Sequence, residues 1–120
     1  MTDSVGEQRL SGVSRTVVLD AALSEAIPVG RVEVRRIQLP AGTVPGLHVH
    51  NGPVFGSIVQ GSVAYQQDGE PVAILTPGDV FYEPGGVRIA RFDALEEDVT
   101  FLAYYLLAPG QDAEIEFPAE

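Results

Sequence analysis

The 120-residue chain contains no cysteine, and its seven cationic residues are all arginines, so lysine is absent too. The missing thiol excludes cysteine nucleophiles, thiolate-ligated metals and a disulfide-stapled scaffold, and the missing amine excludes lysine Schiff-base chemistry. Histidine occurs only twice, in His48-Val49-His50. Any imidazole or transition-metal chemistry therefore starts at that pair. Positive charge is scarce, with seven arginines against 17 Asp and Glu and a formal net charge of −10. A scattered minority of arginines provides no basic stripe for phosphates, which argues against nucleic acid and leaves solubility as the reading of the acidity. Long apolar runs are missing as well. The longest, residues 101–108, is far short of the roughly 20 residues that span a bilayer and reads as a buried strand. The first ten residues are polar and lack the charged-then-apolar pattern of a leader, so the expected location is cytoplasmic, with no membrane partner.

What the chain does have is turns. Thirteen glycines and nine prolines punctuate a sequence that is 45% hydrophobic, which suits many short strands joined by tight turns. Residues 1–14 are polar and aperiodic and read as a flexible arm, or as a strand that orders only against a partner subunit. Residues 15–120 read as one domain. Strands are expected at 16–19, 31–39, 47–50, 54–59, 63–66, 72–75, 80–83, 87–92 and 100–107, with an acidic edge strand within 113–120. One or two helical turns are expected within 21–27, stopped by Pro28 and Gly30. In 31–39 the apolar residues fall at 32 and 34 and then at 37 and 39, so the skipped step at Arg35-Arg36 predicts a bulge or a break. Eight or more short strands and no long amphipathic helix describe an all-β sandwich or small barrel.

Two frames narrow this further. Gly42, five residues, His48-Val49-His50, three residues, Val54, six residues and Gly61 form the first; Gly78, five residues, Pro84-Gly85-Gly86 form the second. Over roughly residues 30–108 the chain resembles the cupin superfamily of small jelly-roll β-barrels. The resemblance implies a cupin-type barrel with its site at the mouth, and a homodimer. It also marks a departure. Where the family pattern places a glutamate ligand the chain has Val54, where it places a second-motif histidine the chain has Ile89, and Asp93 stands where asparagine is frequent.

Residues two apart on a strand share a face, so His48 and His50 project into one space, as a metal pair or as polar filling of a pocket. With no other histidine and no cysteine, a third ligand must be an oxygen donor, and Glu83 is the leading candidate. It would hold metal with the histidines, act as a general acid or base without metal, or face solvent. Arg91 shares the parity of Ile89; a uniform strand would aim it at the cavity for an anionic substrate, unless it pairs internally with Asp93, Glu83 or the 96–98 loop. Phe55, Val54, Ile89 and Tyr82 are expected to shape a pocket for an apolar body, and Tyr65, Tyr104 and Tyr105 fit either pocket or core.

The expected function is that of a small-molecule enzyme at the barrel mouth. His48, His50 and Glu83 would carry acid–base isomerisation, cyclisation, dehydration or hydrolysis of an apolar or anionic metabolite. A divalent ion (Fe, Mn, Ni or Zn) would be weakly held on His48 and His50, or none would be used. The alternatives are a non-catalytic binding module and, less favoured for want of strong ligands, a metal-dependent dioxygenase.

Overall fold

The computed structural model describes residues 12–119. Every regular element in it is a strand: β1 (Arg31–Leu39), β2 (Val49–His50), β3 (Val54–Gln60), β4 (Val63–Gln67), β5 (Ala73–Leu75), β6 (Val80–Glu83), β7 (Ile89–Ala94), β8 (Val99–Leu107) and β9 (Ile115–Glu116). No helix is long and apolar enough to cross a membrane among these residues.

The strands pair antiparallel in one four-stranded sheet, ordered β1-β8-β3-β6, and two smaller ones, β5-β4-β7 and β2-β9. The smaller sheets are joined through His48 and Ile89, whose backbones exchange hydrogen bonds of 3.0 and 2.8 Å. The result is a jelly roll of two facing layers, and it follows from period-two patterning. In β8, Val99, Phe101, Ala103 and Leu107 are buried while the alternate residues are only partly so. In β6, Phe81 and Glu83 point inward and Val80 and Tyr82 outward.

The centre is aromatic. Phe92 and Phe101 lie 4.7 Å apart between ring centroids, and Phe81 lies 5.1 Å from Phe92. Val63 and Val99, both fully buried, close this end of the barrel together with Ile58. Gly56 is required here, because a Cβ would overlap the Phe81 ring and lie 2.7 Å from the Leu102 carbonyl oxygen. The ring therefore lies across bare backbone.

Four sequence expectations are revised. Residues 16–19 form no strand and 21–27 no helical turn. Stripped of partners, a four-residue β-branched run has no ladder to join, and Pro28 leaves too short a span to nucleate a helix. The expected edge strand within 113–120 is reduced to Ile115–Glu116. No bulge occurs at Arg35-Arg36: β1 pairs with β8 without interruption from Arg31↔Leu107 to Leu39↔Val99. The parity change is real but is resolved by exposure, with Ile37 and Leu39 packing inward while Val32 and Val34 sit on the outer face, 52% and 53% exposed. Of the expected N-terminal arm, residues 1–11 lie outside the described residues; residues 13–20 form no regular element and are exposed, Val17 at 70% and Val18 at 68%.

Candidate functional site

His48 and His50 flank Val49 on a short extended segment, so both rings turn to the interior, 5.3 Å apart and nearly perpendicular. Both are buried. Glu83 reaches the same space from β6, where it pairs across the ladder with Val54 of β3, and it is only 3% exposed. A buried carboxylate needs a partner. Glu83 has two: its Oε1 accepts from His50 Nε2 at 2.7 Å and lies 3.8 Å from His48 Nε2.

These contacts set the tautomers. The Gly46 carbonyl can only accept, so His48 Nδ1, 2.9 Å away, is the protonated nitrogen of the neutral ring, and its Nε2 lone pair faces Glu83. His50 donates to Glu83 from Nε2, which leaves its Nδ1 buried and without a hydrogen-bond partner. Lone pairs of His48 and Glu83 thus converge on a gap that a cation satisfies, either a proton or a metal ion. Burial opposes charge on His48, but the Glu83 carboxylate and the Gly46 carbonyl outweigh it, and its pKa is raised above 6.5. Burial likewise opposes charge on Glu83, yet the two histidines outweigh it and lower its pKa below 4.5.

The donor set fits a divalent ion. His48, His50 and Glu83 each offer one ligand atom, all within 4.8 Å of one another, and two imidazoles with one carboxylate suit Fe, Mn, Ni or Zn. Support around them is uneven. A ligating histidine normally donates its second nitrogen to a fixed acceptor, a bond that His48 makes to Gly46 and that His50 lacks.

The triad borders a cavity of about 170 Å³ whose exposed wall is overwhelmingly apolar, built from Ile37, Leu39, Val54, Phe81, Phe92, Phe101, Ile115 and others. Tyr105 brings the one phenol to this wall, its ring 6.3 Å from that of His50. Burial raises its pKa above 10 against the pull of Arg35.

The other expected site residues divide. Val54 lines the cavity. Ile89 is fully buried beside His48 but is not part of the wall. Phe55 and Tyr82 are corrected: they form a cross-strand pair on the outer face, stacked at 4.7 Å, because their parity is opposite to that of Val54 and Glu83. Arg91 is corrected as well. The ladder between β4 and β7 shifts so that Gln66 opposes Arg91 while Gln67 opposes Ile89, and this bulge at Ala90 reverses the parity. Arg91 consequently faces outward and binds Gln66 at 3.2 Å and Asp93 at 3.4 Å. Sequence reasoning left Tyr105 unassigned and missed the aliphatic walls from β1 and β9. The alternation in β8 held the signal for Tyr105, whereas the approach of β1 to β9 is a long-range fact.

The fold is shared with solved structures. Among curated protein sequences none matches this chain. Solved structures do match. The DMSP lyase DddQ from Ruegeria pomeroyi is similar over 69% of this chain and 42% of its own, with 20% identity and a TM-score of 0.61. A cupin-like protein from Thermotoga maritima is similar over 69% of this chain and 62% of its own, with 25% identity and a TM-score of 0.60. An uncharacterized double-stranded β-helix protein from Klebsiella pneumoniae covers 86% of this chain and 92% of its own, with 20% identity and a TM-score of 0.59. The chain thus spans less than half the length of the DMSP lyase and under two thirds of the Thermotoga protein. Residues 35–102, more than half of the sequence, match the Cupin domain family. The chain belongs to the cupin family.

Proposed function

We propose that the protein is a small-molecule enzyme in which His48, His50 and Glu83 carry acid–base chemistry on a metabolite with an apolar body, aided by a weakly held divalent ion. The observation that carries this reading is Glu83 itself, a buried carboxylate 2.7 Å from His50 at the edge of an apolar cavity. An apolar pocket with a few convergent titratable groups is the form of a small-ligand site. Its volume of about 170 Å³ is close to the ~150 Å³ that holds a benzene ring. The reacting end of the substrate is therefore small.

Glu83 orients His50, and the Gly46 carbonyl keeps the other His48 nitrogen facing the gap, while the aromatic wall excludes water and strengthens each polar contact. His48 and Glu83 are the pair between which a proton moves as substrate is deprotonated and reprotonated. A divalent ion, when bound, would polarise a substrate oxygen as a Lewis acid or acidify a water. The reading extends to quaternary structure as a homodimer. Residues 13–29 make no backbone hydrogen bond among the described residues and expose Val13, Val17, Val18, Leu19 and Val29, while the outer sheet face exposes Val32 and Val34. Such surfaces suit burial against a second copy.

The test is metal content of untagged protein by elemental analysis, combined with solvent-deuterium exchange into a panel of small carbon acids followed by NMR. A divalent ion and exchange, both lost in His48→Ala, His50→Ala and Glu83→Gln, are expected. Ligand binding that survives the histidine substitutions, with no exchange in the wild type, would replace this reading by that of a binding module.

A further inference from the structure

With Arg91 on the outside, the cavity needs another source of positive charge if its ligand is an anion, and β1 provides one. Arg35 lies on the same face of β1 as Ile37 and Leu39, which line the cavity. Its guanidinium carbon sits 4.7 Å from the centroid of the Tyr105 ring, itself part of the cavity wall. β1 ends the four-stranded sheet, and β9 ends the facing pair. The two edges approach each other, since Arg31 reaches the Gln111 carbonyl at 3.1 Å just ahead of β9 and Ile115 joins Ile37 and Leu39 on the wall. Arg35 therefore stands at the side of the barrel where the layers part, with its side chain 47% exposed.

The hydrogen bonding leaves it available. Glu33 Oε1 accepts from Arg35 Nε at 2.7 Å and lies 2.5 Å from NH2, and the guanidinium also interacts with Tyr105. Glu33 and Tyr105 fix its plane, and its outer NH1–NH2 edge is the fork that matches a carboxylate. Arg31, Arg88 and Arg91 are likewise engaged by acidic residues, but away from the cavity wall. Arg35 alone is stacked on a residue of the cavity wall.

We propose that Arg35, held by Glu33 and Tyr105, is the anion-recognition residue of this site, and that the ligand is a small monocarboxylate whose apolar body enters the cavity while its charged end stays at the opening. This specifies the substrate class and rests on the reading of the cavity as a small-molecule site. It requires no catalytic step, so binding alone tests it.

The probes are benzoate and its neutral isostere benzamide, titrated calorimetrically into the wild type, Arg35→Gln and Arg35→Lys. The ring signals of the two histidines report occupancy. Benzoate is expected to bind the wild type about tenfold more tightly than benzamide, the scale of a charged hydrogen bond. In Arg35→Gln the two should come within about twofold with benzamide unchanged, and Arg35→Lys should recover only part of the difference because it lacks the planar fork. Equal affinities in the wild type, a benzoate preference that survives in Arg35→Gln, or no effect of either probe on the histidine signals would each overturn the assignment and leave Arg35 as a surface partner of Glu33. Arg35-dependent benzoate binding in a protein that exchanges no protons would sink the enzymatic reading and keep the anchor.

Discussion

The two ends of this barrel are built by the same alternation and differ in what fills it. At the closed end, Ile58, Val63 and Val99 meet the rings of Phe81, Phe92 and Phe101. At the open end, further along β3, β6 and β8, the inward residues are Val54, Glu83 and Tyr105, joined by His48 and His50, and space remains between them. One end is packed to stabilise; the other retains an unpartnered imidazole nitrogen and an incompletely filled cavity. The polar groups of the open end are held at a cost in packing.

Phe92→Ala breaks the comparison hardest. Removing a ring from the packed end should destabilise the fold by about 3–5 kcal/mol in urea unfolding. Val54→Glu probes the open end instead, placing a second carboxylate directly across the ladder from Glu83. In metal-stripped protein it should cost about 3 kcal/mol as an uncompensated buried charge. A divalent ion should then raise the melting temperature of the variant more than that of the wild type.

A subtler contrast is pH, because the fold shifts a carboxylate and an imidazole together at the open end. The pKa of Glu83 is lowered in the fold, so its contribution is full above pH 4.5 and is lost as pH falls through the lowered value. The pKa of His48 is raised, so its contribution is full below pH 6.5 and is lost as pH rises through the raised value. The stability gap between metal-stripped wild type and Glu83→Gln should therefore be widest between pH 4.5 and 6.5 and narrow on both sides. The smallest effect on folding is expected outside the barrel, where Val34→Lys should change stability by no more than about 0.5 kcal/mol and yet weaken dimerisation measured by light scattering.

The closed end was the more legible of the two. All nine strands lie within expected stretches or overlap them, and β1 and β6 match their expected bounds, because period-two patterning and Gly or Pro turns are local signals. His48 and His50 were legible for the same reason, and Glu83 by elimination of other donors. Arg91, Phe55 and Tyr82 were not. Which side of a strand faces inward depends on a register that one extra residue reverses, and the bulge at Ala90 leaves no mark in the hydrophobic pattern. Arg35 was hidden differently: its sheet partner is Ala103, far along the chain, and only the assembled layers bring its guanidinium to Tyr105.

The pairing of Val54 with Glu83 bears on how such sites are inherited. Neighbouring strands present side chains in rows, and the members of a row occupy nearly the same place whichever strand supplies them. A carboxylate absent from one strand can be furnished by the next at the same height, and the histidines meet an acid either way. Within a β-ladder, a chemical group is addressed by its row before its strand. A motif read along a single strand does not register the carboxylate that the neighbouring strand presents at the same height.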